Sequence, residues 1–159
     1  MPNSRNIALK VLLKIEQDNA YSNLALNYAI KENKLNSLDS SFVSALVYGV
    51  LEKQFTLDYI IRQYSKIPLR KIELKTKIIL RMGILQLIFM DKIPESAAVN
   101  ESVNLAKKHK LQKSAGFING ILRSVTRADE KYTLPDSGDK IYFYSIKYSA
   151  LCIINITSS

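Results

Sequence analysis

Cysteine, histidine and tryptophan are almost missing from this chain of 159 residues. There is one Cys (Cys152), one His (His109) and no Trp. A single thiol closes no intramolecular disulfide, and one Cys with one His cannot supply the ligand set of a zinc site. Imidazole-based triads have no material either, and a reducing, cytoplasmic setting is expected. Glycine (5) and proline (4) are scarce, which favours helices over a turn-rich β fold. The most apolar stretch, Ile78 to Met90, is broken by Arg81 and Gln86. It falls short of the roughly 20 residues that a membrane span requires. The start, Met1-Pro2-Asn3-Ser4-Arg5, is not followed by an unbroken apolar core and small-residue cleavage site, so it does not read as a signal peptide.

What is abundant is positive charge. Lys and Arg number 23 against 14 Asp and Glu, a formal +9. A field of that sign attracts polyanions, nucleic acid before an anionic membrane. Two stretches concentrate it. Residues 66–81 hold Lys66, Arg70, Lys71, Lys75, Lys77 and Arg81 against Glu73 alone, and residues 107–127 hold Lys107, Lys108, Lys110, Lys113, Arg123 and Arg127 with no acid. Lys107 with Lys110, and Arg123 with Arg127, have the spacing of one helix face. If such residues line one surface they hold phosphates; Lys107 and Lys108 also complement a helix C-terminus.

Hydrophobic periodicity predicts seven helices. The first runs from Ser4 to about Gln17 on a stripe of Ile7, Ala8, Val11, Leu12 and Ile15, with Asn3 or Ser4 as cap. The second starts at Ser22 or Asn23 and carries Leu24, Leu26, Tyr28 and Ile30. Asp39 or Ser40 opens the third, which contains Gly49; a mid-helix glycine points to close helix packing. Thr56 caps the fourth. The fifth spans about Lys71 to Met90 and is apolar nearly all round in its second half, as a central helix would be. The sixth covers about Glu95 to Lys108 after Pro94, and the seventh about Lys113 to Ala128. Residues 1–128 thus form one all-α domain. Residues 129–159 read as a linker and irregular tail, with Leu134-Pro135-Asp136-Ser137-Gly138-Asp139 as its turn-rich part.

No catalytic constellation is present: the chain has no GxGxxG, P-loop or GxSxG. Glu101 is the one acid at a constrained position and reads as a helix-surface or capping carboxylate. Asn100 and Asn119 sit in helices that otherwise disfavour Asn. As buried amides they are expected to tie the sixth and seventh helices to neighbouring backbone. Of 9 Tyr and 5 Phe, most lie on apolar stripes, while Tyr21 and Tyr28 are the candidates for base stacking.

Four segments in order carry a family resemblance: Arg5-Asn6-Ile7-Ala8-Leu9-Lys10-Val11-Leu12; Leu46-Val47-Tyr48-Gly49-Val50-Leu51 with Leu57-Asp58; Leu80-Arg81-Met82-Gly83-Ile84-Leu85-Gln86-Leu87; and Pro94 to Lys108 with Gly116-Phe117-Ile118-Asn119-Gly120-Ile121-Leu122-Arg123. Together they resemble the NusB family of helical RNA-binding modules, and most closely the NusB-like front domain of ribosomal RNA cytosine-C5 methyltransferases of the RsmB (Sun/Fmu) type. The resemblance implies an all-α, NusB-like bundle of about seven helices. It implies RNA, ribosomal RNA first, as partner, held by Arg5, Lys10 and the basic residues from Lys107 to Arg127.

Ser145-Ile146-Lys147-Tyr148-Ser149 resembles the junction to that family's catalytic half. The family then continues with His-Pro and a Trp, whereas this chain reads Ala150-Leu151-Cys152-Ile153. Its S-adenosylmethionine-binding fold and Pro-Cys motif are not in the sequence, so no catalytic residue and no cofactor are assigned. The departure at Ala150 reads as a frameshift or truncation. Two other functions stay open: a stand-alone antitermination factor that pairs with a small ribosomal protein, and a protein-interaction module. Oligomeric state is not legible.

Overall fold

The computed structural model describes residues 3–133, and the resemblances and turn signals after Thr133 lie outside it. Seven α-helices follow in order: α1 Ser4–Asp18, α2 Ser22–Glu32, α3 Ser37–Glu52, α4 Gln54–Tyr64, α5 Leu74–Phe89, α6 Glu95–Lys108 and α7 Gln112–Arg127. A 3-10 turn, Leu69–Lys71, joins α4 to α5. No strand occurs among the described residues. No helix among them is long and apolar enough to cross a membrane.

The bundle is built around α5. Every residue from Ile78 to Leu87 is buried, and α1, α3, α4, α6 and α7 all pack against this helix. Its neighbours supply the rest of the core, among them Leu9, Leu46, Leu57, Ile60, Ile118 and Leu122. Burying each such side chain contributes roughly 1.5–3 kcal/mol. Close approach depends on two glycines. A Cβ at Gly49 would stand 2.7 Å from Leu85 Cδ2, and one at Gly83 would stand 2.9 Å from both Leu122 methyls and 3.0 Å from Ser102 Oγ. Gly49 therefore seats α3 on α5, as its position in the helix foreshadowed. Gly83 seats α5 on α6 and α7.

Two polar residues interrupt the buried run from Ile78 to Leu87, and each bonds to another helix. Arg81, 4% exposed, donates to Asp58 of α4 through Nε (2.7 Å to Oδ1) and Nη2 (2.9 Å to Oδ2). Gln86, 1% exposed, donates to Met82 O at 2.9 Å and accepts from Arg5 Nε of α1 at 2.8 Å. Arg81 was expected in a phosphate-binding cluster; the buried pair removes it from the surface.

Several boundaries differ from the sequence expectation for local reasons. Asn36, three residues ahead of Asp39, caps α3 by accepting from Asp39 N at 2.8 Å. Thr56 is buried inside α4 and caps nothing. The expected stripe of α2 has period two, which a helix cannot bury on one side. The structure buries Leu26 and Ala29 instead, and leaves Leu24 and Tyr28 out. The first residues of the expected linker also stay on the bundle. Tyr64 Oη donates to Lys131 O (2.8 Å), Gln63 Nε2 donates to Thr133 O (3.0 Å), Lys131 pairs with Glu95, and Tyr132 packs beside Phe89.

Removing one partner of a buried, doubly bonded ion pair leaves an uncompensated charge and costs about 3–5 kcal/mol. Asp58→Ala should therefore lower the unfolding free energy by about that amount in urea melts. Joining Asp58→Leu to Arg81→Met should recover most of it. A single-variant loss below about 1 kcal/mol would show that the pair does not orient α4 on α5.

Candidate nucleic-acid interface

One edge of α1 carries Asn3, Asn6, Lys10 and Lys14 at spacings of three and four, the repeat that keeps side chains on one helical edge. The other edge is core, from Ile7 to Leu13. The polar edge faces α2 across a cleft of about 550 Å³, into which Lys10, Lys14, Tyr28 and Glu32 project. Lys14 Nζ stands 5.4 Å from the centre of the Tyr28 ring, a cation–π contact. Tyr21 (77% exposed), Leu24 (62%) and Tyr28 (59%) follow one another at spacings of three and four. They make an apolar, aromatic face of α2 with no helix of the described chain upon it.

A tight turn brings a second group of cations to the same edge. After α6 the chain closes with Lys110 N donating to Lys107 O (3.1 Å) and Leu111 N donating to Ala106 O (2.9 Å), while Lys110 adopts a left-handed φ of 61°. This six-to-one closure is a Schellman motif, in which Lys110 takes the place usually held by glycine. Lys110 lies beyond the end of α6, so the helix face expected to join it to Lys107 does not exist.

The turn presents His109, whose Nε2 stands 2.6 Å from Asn6 Oδ1 of α1. A carbonyl oxygen only accepts, so Nε2 carries the proton of a neutral ring. Burial holds the imidazole pKa below its ordinary value, and Lys75, Lys10 and Lys108 push it down further. Lysines of three helices, α1, α5 and α6, thus act on the ring. No carboxylate is among the charges that act on it.

The other expected site residues divide. Lys10, Lys107, Lys108, Lys110 and Lys113 are exposed in or beside this corner. Arg123 and Arg127 are exposed but lie about 15 and 21 Å further along α7, at about 1.5 Å per residue. Arg123 Nε donates to Asn119 Oδ1 at 3.0 Å within the same helix. Arg5 is half-buried and committed to Gln86, with its guanidinium 5.1 Å from the Phe42 ring centre. Burial lowers its pKa, an effect opposed by half-buried Glu101.

The inter-helix ties expected of Asn100 and Asn119 are not found. Asn100 is exposed, and Asn119 serves Arg123 one turn on. Val99, Ser102 and Ala106 fill the inward face of α6 and leave no place there for Asn100. Among the described residues no three of His, Cys, Asp and Glu gather to hold a metal ion. Sequence reasoning missed His109, Asn6 and Lys14, although the spacing from Asn3 to Lys14 marks that edge. Nothing in the sequence brings Lys75 to it.

The profile of the NusB family matches residues 2–127. The chain belongs to the NusB family. It is 39% identical over 123 residues to the probable ribosomal RNA small subunit methyltransferase B of Bacillus subtilis, covering 77% of this chain and 27% of that protein. It is 36% identical over 130 residues to the transcription antitermination protein NusB of Ruminiclostridium cellulolyticum, covering 79% and 88%. The chain thus spans less than a third of the methyltransferase relatives it matches. Among solved structures it is similar to the antitermination factor NusB solved with NusE and double-stranded RNA (TM-score 0.69, 22% identity, 76% of this chain and 91% of that one). It is also similar to NusB of T. maritima (TM-score 0.68, 23% identity, 78% and 89%). Both likenesses lie in the fold: seven helices arranged as in NusB.

The His109 pKa shift has a definite sign. The native ring takes a proton less readily than an unfolded one, so below about pH 6.5 the unfolded chain binds more protons. Stability should be fully present above that pH and decline as pH falls towards the lowered native pKa. Thermal melts between pH 7.5 and 5 check this. The decline should flatten in His109→Gln, and an equal decline in that variant would assign it to other groups.

Proposed function

We propose that this NusB-family domain binds RNA at the corner where α1 meets the turn after α6 at Asn6 and His109, a ring on which Lys10, Lys75 and Lys108 act, with the α2 aromatics alongside. The observation that carries the reading is the 2.6 Å contact of His109 Nε2 with Asn6 Oδ1, which joins the Lys10 edge of α1 to the lysine-rich turn after α6. A corner in which cations outnumber acids suits phosphates. Lys107, Lys110 and Lys113 extend it, and Arg123 and Arg127 continue the positive surface along α7. Tyr21 and Tyr28 add ring faces on which unpaired bases stack, at about 1–3 kcal/mol per base. Single-stranded RNA, or a loop within a folded RNA, matches both features better than a regular duplex does.

Two biological settings suit such a domain. One is the RNA-positioning front part of a ribosomal RNA methyltransferase, supported by the 39% and 36% identities to methyltransferase B proteins. In that reading, S-adenosylmethionine and the methyl transfer belong to regions of those relatives that this chain does not cover. The other is a stand-alone antitermination factor, supported by a match that covers 88% of a NusB protein. In that reading a NusE-type ribosomal protein is the companion. Retention of such a protein on an affinity column of this chain favours the second setting. Enrichment of small-subunit ribosomal RNA without it favours the first.

The binding claim has a direct test by fluorescence anisotropy with a short single-stranded RNA. Replacing Lys10, Lys75 and Lys108 by Gln should weaken binding and lower the log–log salt slope by about 2, since each single-strand phosphate contact contributes about 0.7. An unchanged slope would remove the corner from RNA binding.

A further inference from the structure

A second basic groove lies at the junction of α4 and α5. Arg62, Lys66, Arg70 and Lys77 line it together with the apolar Ile67-Pro68-Leu69, and its volume is about 630 Å³. The turn that shapes it is pinned. Ser65 Oγ accepts from Ile67 N at 3.0 Å and donates to Ile67 O at 2.7 Å, and Lys71 N donates to Pro68 O at 2.8 Å. Lys66 and Arg70 therefore project from a constrained loop. Between residues 59 and 81 the one carboxylate in sequence is Glu73, against Lys66, Arg70, Lys71, Lys75 and Lys77, and Asp58 next to that span is committed to Arg81.

This groove is separate from the His109 corner. Lys75 acts on His109, whereas Lys77 lines the groove. Two residues apart on a helix they point about 200° from each other, so the half-buried first turn of α5 divides two cationic surfaces. The groove also adjoins Thr133, which is held by Gln63, next to Arg62.

We infer that this groove is a second RNA site, which takes the sugar–phosphate backbone of a folded RNA whose unpaired segment occupies the His109 corner. The inference rests on the reading of the domain as an RNA binder. A lining that mixes cations with apolar side chains suits a backbone of phosphates and sugars, and its concave shape suits a strand rather than a flat membrane. Phosphate contacts of this kind position an RNA without reading its sequence. The two sites then fix the orientation of the RNA on the bundle.

The test compares a short single-stranded RNA with a long hairpin RNA, both titrated against the full chain. Replacing Lys66, Arg70 and Lys77 by Gln should weaken hairpin binding at least tenfold and lower its salt slope by about 2 to 3. Binding of the short RNA should not change. A control variant with Lys31, Lys34 and Lys92 replaced by Gln carries the same net charge. A hairpin loss no greater than the control's would overturn the inference, as would retained hairpin binding alongside lost sedimentation with phosphatidylserine vesicles. Ultraviolet cross-linking of the wild-type chain to the hairpin gives an independent readout. Cross-linked peptides from residues 62–77 support the site, and cross-links confined to residues 3–14 and 107–113 sink it. If the groove variant behaves as expected while the Lys10, Lys75 and Lys108 variant binds the short RNA normally, the groove stands and the corner falls.

Discussion

A guanidinium inside an apolar bundle admits few solutions, and the architecture of this protein follows from the one adopted. Arg81 lies in the middle of a helix with no exposed face, and Asp58 meets it with both carboxylate oxygens. Taking both charges out of water costs several kcal/mol per ion, and only near-ideal geometry returns it. The pair therefore tolerates little sliding or rotation of α4 on α5. Five residues on, Gln86 performs a similar role towards α1 through Arg5. Two neighbours of the central helix are thus set by directional bonds. The faces of α3, α6 and α7 are set by close packing at Gly49 and Gly83.

That arrangement decides what appears on the surface. With α5 held in rotation, its half-buried first turn puts Lys75 on the side of His109 and Lys77 on the side of the α4–α5 groove. The Schellman turn after α6 adds Lys108 and His109 to the Lys75 side. Positive charge that forms two blocks along the chain is redistributed into two surfaces, each mixing residues distant in sequence. Arg81 and Arg5, basic in composition, are used internally and contribute little to either.

Much of this was legible beforehand, because helices declare themselves locally. The stripes of α1, α6 and α7, the all-round apolarity of α5 and the interior position of Gly49 led to seven helices around a central one. The four ordered segments led to the NusB family. Errors fell where a local rule had competitors. Asn36, Asp39 and Ser40 are all able to cap α3, and the first of them does. The alternating Leu24, Leu26, Tyr28 and Ile30 look apolar as a set, yet a helix presents them to different sides. Asn100 was read as a buried amide because a helix interior otherwise disfavours Asn, but every third or fourth residue faces inward and Asn100 is not among them.

The sequence by itself determined the fold class, the family and the sign of the surface charge. Those depend on composition and on periodicities of three to four residues, which are local. It did not determine which cations share a surface. That needs the rotation of each helix about its axis and the pairing of α1, α5 and α6, which are set by packing between segments as far apart as Asn6 and His109. Only the tertiary structure placed Lys75 beside Lys10 and Lys108. Only it withdrew Arg81 into the core, because a buried carboxylate on another helix offered that side chain a better partner than water.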